Sequence, residues 1–165
     1  MNLNEFTKIT YKIVGIFLSL ILINSSALAE IVFKPSLGIG AGEYLNDKFT
    51  EIRLGGSLHL VEAPLAFELH GFQRVIHEKE DFYGLDLEMK LKRQFKISDQ
   101  YMIGTYIGPG YRFATNDLDA PLLDFSLVVS KSNAFSLHLG YKIILLDWGS
   151  QDYKNDSLAY FGLQL

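Results

Sequence analysis

From residue 31 onward the chain alternates with a period of two. Between Glu51 and Leu60, Ile52, Leu54, Gly56, Leu58 and Leu60 fall on one parity and Glu51, Arg53, Gly55, Ser57 and His59 on the other. Tyr83, Leu85, Leu87, Met89 and Leu91 oppose Gly84, Asp86, Glu88, Lys90 and Lys92 in the same way. Phe135, Leu137, Leu139, Tyr141, Ile143 and Leu145 oppose Ser136, His138, Gly140 and Lys142. An extended strand turns successive side chains to opposite faces, so this pattern specifies strands with one apolar and one polar side. Turn-forming residues divide the chain into eight such runs, at about 31–43, 49–60, 65–74, 82–97, 101–113, 121–130, 134–146 and 157–165. Strands of soluble sheets average roughly 5–6 residues, whereas about 9–11 cross a bilayer at a tilt, and most of these runs reach the longer class.

The connections alternate in length. Val61–Pro64, Ser98–Gln100 and Lys131–Asn133 are tight, while Val75–Asp81, Ala114–Ala120 and Asp147–Asp156 are longer and polar, with a short link at Tyr44–Lys48. Short turns at one rim and longer loops at the other describe an up-and-down membrane barrel. The residues before the first strand read as an export signal. Lys8 and Lys12 precede an apolar run of 11 residues, Ile13 to Ile23, followed by Asn24-Ser25-Ser26 and the small-residue site Ala27-Leu28-Ala29. About 20 apolar residues are needed to span a bilayer as a helix, so this run is expected to be a cleaved signal, residues 1–29, ahead of a barrel domain at 30–165.

Alternation alone does not say which face points inward, because a soluble lipocalin- or avidin-like barrel would place its apolar face around a ligand. Three features point the apolar face at lipid. Glycines 38, 40, 42, 55, 84, 104, 108, 110, 140 and 162 gather on the polar face, as a narrow interior packed with alternating small and large side chains requires. The same face carries Glu51, Glu68, Asp86, Glu88 and Asp124 against Arg53, Arg74, Lys90, Lys92, Arg112 and Lys142, a set able to compensate itself inside a barrel. Aromatics on the apolar face fall near strand ends: Phe33, Phe67, Tyr101 and Phe135 towards one rim, Tyr83, Tyr111 and Phe113 towards the other.

An export signal followed by eight amphipathic strands resembles the small outer-membrane barrels, such as the OmpA transmembrane domain and the OmpX-type proteins. The likeness covers residues 30–165 and is architectural, with no diagnostic motif. It implies a closed antiparallel barrel in a Gram-negative outer membrane, in contact with lipid and lipopolysaccharide and inserted by the barrel-assembly machinery. It also implies loops that meet extracellular ligands. Members of this group end in an aromatic residue. Here the last strand carries Phe161, Leu163 and Leu165 on its apolar side, an imperfect form of that signal. Pro109 falls within a strand, where it removes a ladder donor, and a bulge at Pro109-Gly110 is expected there.

No residue set identifies a reaction. The chain has no cysteine, which removes disulfides, thiolate metal sites and thiol nucleophiles. A net charge of −4 leaves no basic surface for nucleic acid. His59, His70 and His138 share the inner parity with Ser57, Ser126 and Ser136, and internal hydrogen bonding accounts for them. They lie on three strands without metal-ligand spacing, so no catalytic, cofactor or metal residues are assigned. Outer-membrane lipid A deacylases mark their site with His-x-Ser-Asn. The nearest stretch, Ser130-Lys131-Ser132-Asn133-Ala134, has serine in place of the histidine and reads as a turn. Gly38-x-Gly40-x-Gly42 lacks the helix that a dinucleotide fingerprint needs.

His77 to Asp81 is a charged loop, and Trp148 suits an interfacial anchor. Asp117 with Asp119, and Asp147 with Asp152 and Asp156, have the composition but not the spacing of a cation loop. Arg53, His70, Phe72, Tyr106, Arg112 and Tyr160 on the inner face are expected to block any pore, since eight strands enclose little more than their own side chains. The expectation is a non-enzymatic membrane barrel with a structural or surface-interaction role. A lipid-modifying hydrolase and a soluble ligand-binding barrel are the alternatives.

Overall fold

The structure is a computed structural model that describes residues 31–44, 47–61, 63–76, 81–115, 119–131, 134–146 and 154–165. The expected signal segment therefore lies outside the described residues, as do His77, Glu78, Asp117, Ser132, Asn133, Asp147, Trp148 and Asp152. Eight strands follow one another: β1 (Ile31–Tyr44), β2 (Asp47–Leu60), β3 (Leu65–Ile76), β4 (Phe82–Lys96), β5 (Tyr101–Ala114), β6 (Ala120–Lys131), β7 (Phe135–Leu146) and β8 (Lys154–Gln164). Each pairs antiparallel with the next, and β8 closes onto β1, so the sheet has no free edge. Closure satisfies the backbone polar groups within the sheet, which is the condition for strands to stand in lipid.

The register explains the tilt. The inward residue Lys34 has Ser57 as its neighbour in β2, and the same row continues through Glu68, Glu88, Gly110, Leu122, Ile144 and Asp156. The next residue of β8, Ser157, faces Glu43 at the far end of β1. One circuit thus climbs most of the length of β1, and closing such a stagger inclines the strands to the barrel axis.

Pro109 is accommodated without the expected bulge. The β4–β5 ladder stops after Glu88↔Gly110 and resumes at Leu91↔Ile107, leaving two residues unpaired on each strand and the register unchanged. On its other side Pro109 pairs with Leu123 in an unbroken ladder. The proline has lost pairing locally on its β4 side, where it has no N–H to give, and no extra residue is needed.

The two faces divide as the alternation requires. Outward residues such as Phe33, Leu54, Leu85, Leu91 and Leu139 are at least half exposed, whereas the largest fully buried side chains include Arg74, Arg112, Lys90 and Lys142. Inward glycines are paired across the sheet with large inward side chains that fold over them. Phe49 covers Gly42, Phe72 covers Gly84 and Tyr160 covers Gly140. A methyl at Gly140 would fall on the Tyr160 ring, so the glycine makes room for the tyrosine.

Candidate functional site

The lumen is the place where functional side chains converge, and it is layered. At the end carrying the longer loops, the inward residues are apolar. Phe49, Phe72, Ile76, Phe82, Leu158 and Tyr160 form one cluster and Ala120, Leu122, Ile144 and Leu146 another, with Tyr44 packed against both. This layer departs from the expected polar interior. At the loop ends both parities become apolar, as in Leu122-Leu123 and Ile143-Ile144-Leu145-Leu146, and the alternation no longer distinguishes inside from outside.

Beneath this layer lies a network of ions. Glu51 accepts from Arg112 through both carboxylate oxygens at 2.9 Å and from Arg74 at 2.9–3.0 Å. Asp86 accepts from Arg112 at 2.7 and 2.8 Å and from Lys142 at 2.6 Å. Glu88 accepts from Lys142 at 2.6 Å and Arg53 at 3.2 Å, and Lys90 bridges Glu68 at 2.9 Å, Glu88 at 3.3 Å and Asp124 at 3.3 Å. Tyr160 donates to Asp124 at 2.8 Å while its ring lies 4.5 Å beneath the Arg53 guanidinium.

Sequence reasoning assigned Asp156 to a loop. It is instead an inward residue of β8 bonded to Arg74, because that strand begins at Lys154, earlier than its alternation suggests. Conversely Lys92, expected among the compensating ions, makes no carboxylate contact among the described residues. It donates instead to Leu60 O at 3.2 Å and His59 Nδ1 at 3.5 Å.

The end with the tight turns is hydroxyl- and imidazole-rich. His70 Nε2 lies 2.7 Å from Ser36 Oγ and His70 Nδ1 3.9 Å from Glu68, a serine–histidine–carboxylate sequence that was not legible in the chain. The neighbour of Nδ1 is wrong for catalysis. The Arg53 guanidinium lies 3.4 Å from it, nearer than Glu68, and disfavours the Nδ1–H tautomer that a serine–histidine–carboxylate triad needs. The second pair, His59 Nε2 to Ser57 Oγ at 2.6 Å, has the same defect, because Lys92 occupies His59 Nδ1. His138 meets the Tyr106 ring edge-on at 5.5 Å, and Ser130 bonds Ser136 at 2.9 Å. Ser126 is buried, and its hydroxyl has no hydrogen-bond partner among the described residues.

Glu68, His70 and Glu88 bring ligand atoms within 4.8 Å of one another, the spacing of a possible metal centre. Lys90 and Arg53 already stand among them, and Lys142 sits on Glu88, so the arrangement is an ion network with its cations in place. A cavity of about 30 Å³ beside it is lined by Ser36, Arg53, Glu68, His70, His138 and Gln164, among others, with space for about one water molecule. Arg53, His70, Phe72, Tyr106, Arg112 and Tyr160 are all buried in the lumen.

No family model and no curated protein sequence matches the chain. Solved structures do. Neisserial surface protein A aligns with a TM-score of 0.58 at 13% identity, covering 82% of this chain and 98% of that one. The outer membrane enzyme PagL aligns with a TM-score of 0.57 at 9% identity, covering 79% and 98%. A de novo designed transmembrane β-barrel aligns with a TM-score of 0.55 at 10% identity, covering 81% and 94%. What these share with this chain is the fold, that of the small eight-stranded transmembrane barrels.

Proposed function

We propose that the chain is an integral protein of a Gram-negative outer membrane, with a structural or surface-interaction role and no open pore. The observation that carries this reading is the inversion of its faces. A belt of leucine, isoleucine and aromatic side chains is turned outward, and the charged residues are buried within. In water the outer surface would be an apolar patch encircling the molecule, far beyond what a soluble monomer exposes. The tight turns then face the periplasm and the longer loops the exterior, where they meet lipopolysaccharide or an extracellular ligand. Export through the 1–29 signal and insertion by the barrel-assembly machinery complete the reading.

The two alternatives have less to support them. A soluble lipocalin-like barrel needs an apolar pocket where this lumen holds paired ions and fitted side chains. A lipid-modifying hydrolase would share its fold with PagL, but here the serine–histidine pairs face inward at the turn end with a cation nearest each Nδ1, where a triad has its carboxylate. The test is heat-modifiability of full-length protein from washed outer-membrane fractions. Recovery there, with a mobility shift between unboiled and boiled samples on a detergent gel, is the expected result. Recovery in the soluble periplasm without a shift overturns the proposal.

A further inference from the structure

Five inward cations, Arg53, Arg74, Lys90, Arg112 and Lys142, each contact at least one carboxylate. Two more stand on the inner parity at the turn end, Lys34 of β1 and Lys92 of β4, both half-buried. Neither has a carboxylate partner among the described residues, and both stand at the same pair of side chains: Lys34 is the cross-strand neighbour of Ser57, whose hydroxyl lies 2.6 Å from His59 Nε2, and Lys92 lies 3.5 Å from His59 Nδ1. Lysines on the outer side of a barrel rim extend to lipid headgroups, but inward ones face only the lumen. A like-charged pair held at a half-buried mouth is unfavourable unless something negative sits with it.

The hydrogen bonds beside them converge on one serine. Ser57, the cross-strand neighbour of Lys34, lies 2.6 Å from His59 Nε2 and accepts from the Gln164 side-chain amide at 2.7 Å. With the Lys92 ammonium at His59 Nδ1, the favoured tautomer carries its proton on Nε2, which fills the Ser57 oxygen with two donors and leaves its own proton over, while Gln164 Oε1 has no hydrogen-bond partner among the described residues. Turning the Gln164 amide over would let Ser57 donate to the carbonyl oxygen, but would leave the amide N–H groups over instead. In both orientations the mouth holds a surplus donor next to two uncompensated ammonium groups. Glu68, the carboxylate in this half of the lumen, is held by Lys90 at 2.9 Å through Oε2, and its Oε1 has no hydrogen-bond partner among the described residues.

We propose that the turn-end mouth of the lumen binds an anionic group, a carboxylate or a phosphate, between Lys34, Lys92 and the Ser57–Gln164 pair. The apolar layer at the other end makes this a blind site that ligand enters only from the turn side. Binding needs no reaction at the serine. The site rests on lumen geometry alone and stands independently of the membrane in which the barrel resides.

The test is an NMR titration of detergent-refolded protein with inorganic phosphate and, separately, acetate. Chloride at matched ionic strength is the reference, and the His59 ring and Gln164 side-chain amide are the reporters. Saturable shifts with phosphate, acetate or both are expected, and the stronger of the two identifies the anion class. Lys34→Gln and Lys92→Gln should each weaken binding about tenfold or more, as loss of a charge-assisted hydrogen bond requires. Lys131→Gln, an exposed lysine at the same rim, should leave it unchanged. The boiled-to-unboiled mobility shift reports folding of each variant. Shifts no different from those with chloride, or indifferent to both lumen substitutions, overturn the proposal.

Discussion

The two halves of the lumen solve the problem of a narrow interior differently. Towards the loops, aromatic and aliphatic side chains exclude water above ions that are bonded to one another. Arg112 alone spans Glu51 and Asp86, while its guanidinium stacks 3.9 Å from the Phe72 ring. Towards the turns, serines, histidines and a glutamine make fewer bonds, and several buried atoms go without hydrogen-bond partners among the described residues, including His138 Nε2, Gln164 Oε1 and Glu68 Oε1. The difference teaches where rigidity resides. A charge in the dry half is over-determined by its partners, whereas a polar group in the wet half, which opens at the half-buried Lys34 and Lys92, has fewer partners to hold it.

Substitutions ranked by expected size sharpen this contrast. Asp86→Ala leaves Arg112 and Lys142 short of a carboxylate at a site 0% exposed, and should cost about 3–5 kcal/mol in reversible urea unfolding from lipid or detergent. A neutral result would mean that the ion network stabilises nothing. Leu87→Arg, at mid-height on the outer face, should cost about 2–4 kcal/mol in lipid. If it costs nothing, the outer face meets water and the membrane assignment fails. Gly140→Ala forces the Tyr160 ring off its seat and away from Asp124, at about 1–3 kcal/mol by the same unfolding measurement. Gln164→Leu in the wet half removes a bond to Ser57 together with an unpartnered carbonyl oxygen, and should cost no more than about 1 kcal/mol. A penalty as large as that of Asp86→Ala would erase the distinction between the halves.

Strand number, order and facing were legible in the chain because the alternation is clean wherever one side meets lipid and the other a charged lumen, as in Tyr83 to Lys92. It fades where both sides are apolar. Ile144 and Leu146 point inward, yet in Ile143-Ile144-Leu145-Leu146 nothing in composition separates them from their outward neighbours. Candidate ions were recognisable by parity, but their partners were not. Ser36 and His70 stand 34 residues apart on strands that are not adjacent, and only the closure and stagger of the barrel bring them to 2.7 Å. Asp156 was missed for a simpler reason. The alternation of β8 becomes recognisable at Ser157, while its pairing with β7 extends to Lys154.

The apolar layer at the loop end has a consequence for how the protein can vary. Phe49, Phe82, Ile144 and Leu158 stand between the connections above and the ions below, so a change in loop length or charge is screened from the groups that hold the barrel shut. Surface diversification and barrel integrity are thereby decoupled. A lineage under pressure at its exposed surface can rewrite its loops while the lumen stays under separate constraint, and an engineer can graft a foreign segment there without first rebalancing the ions beneath it.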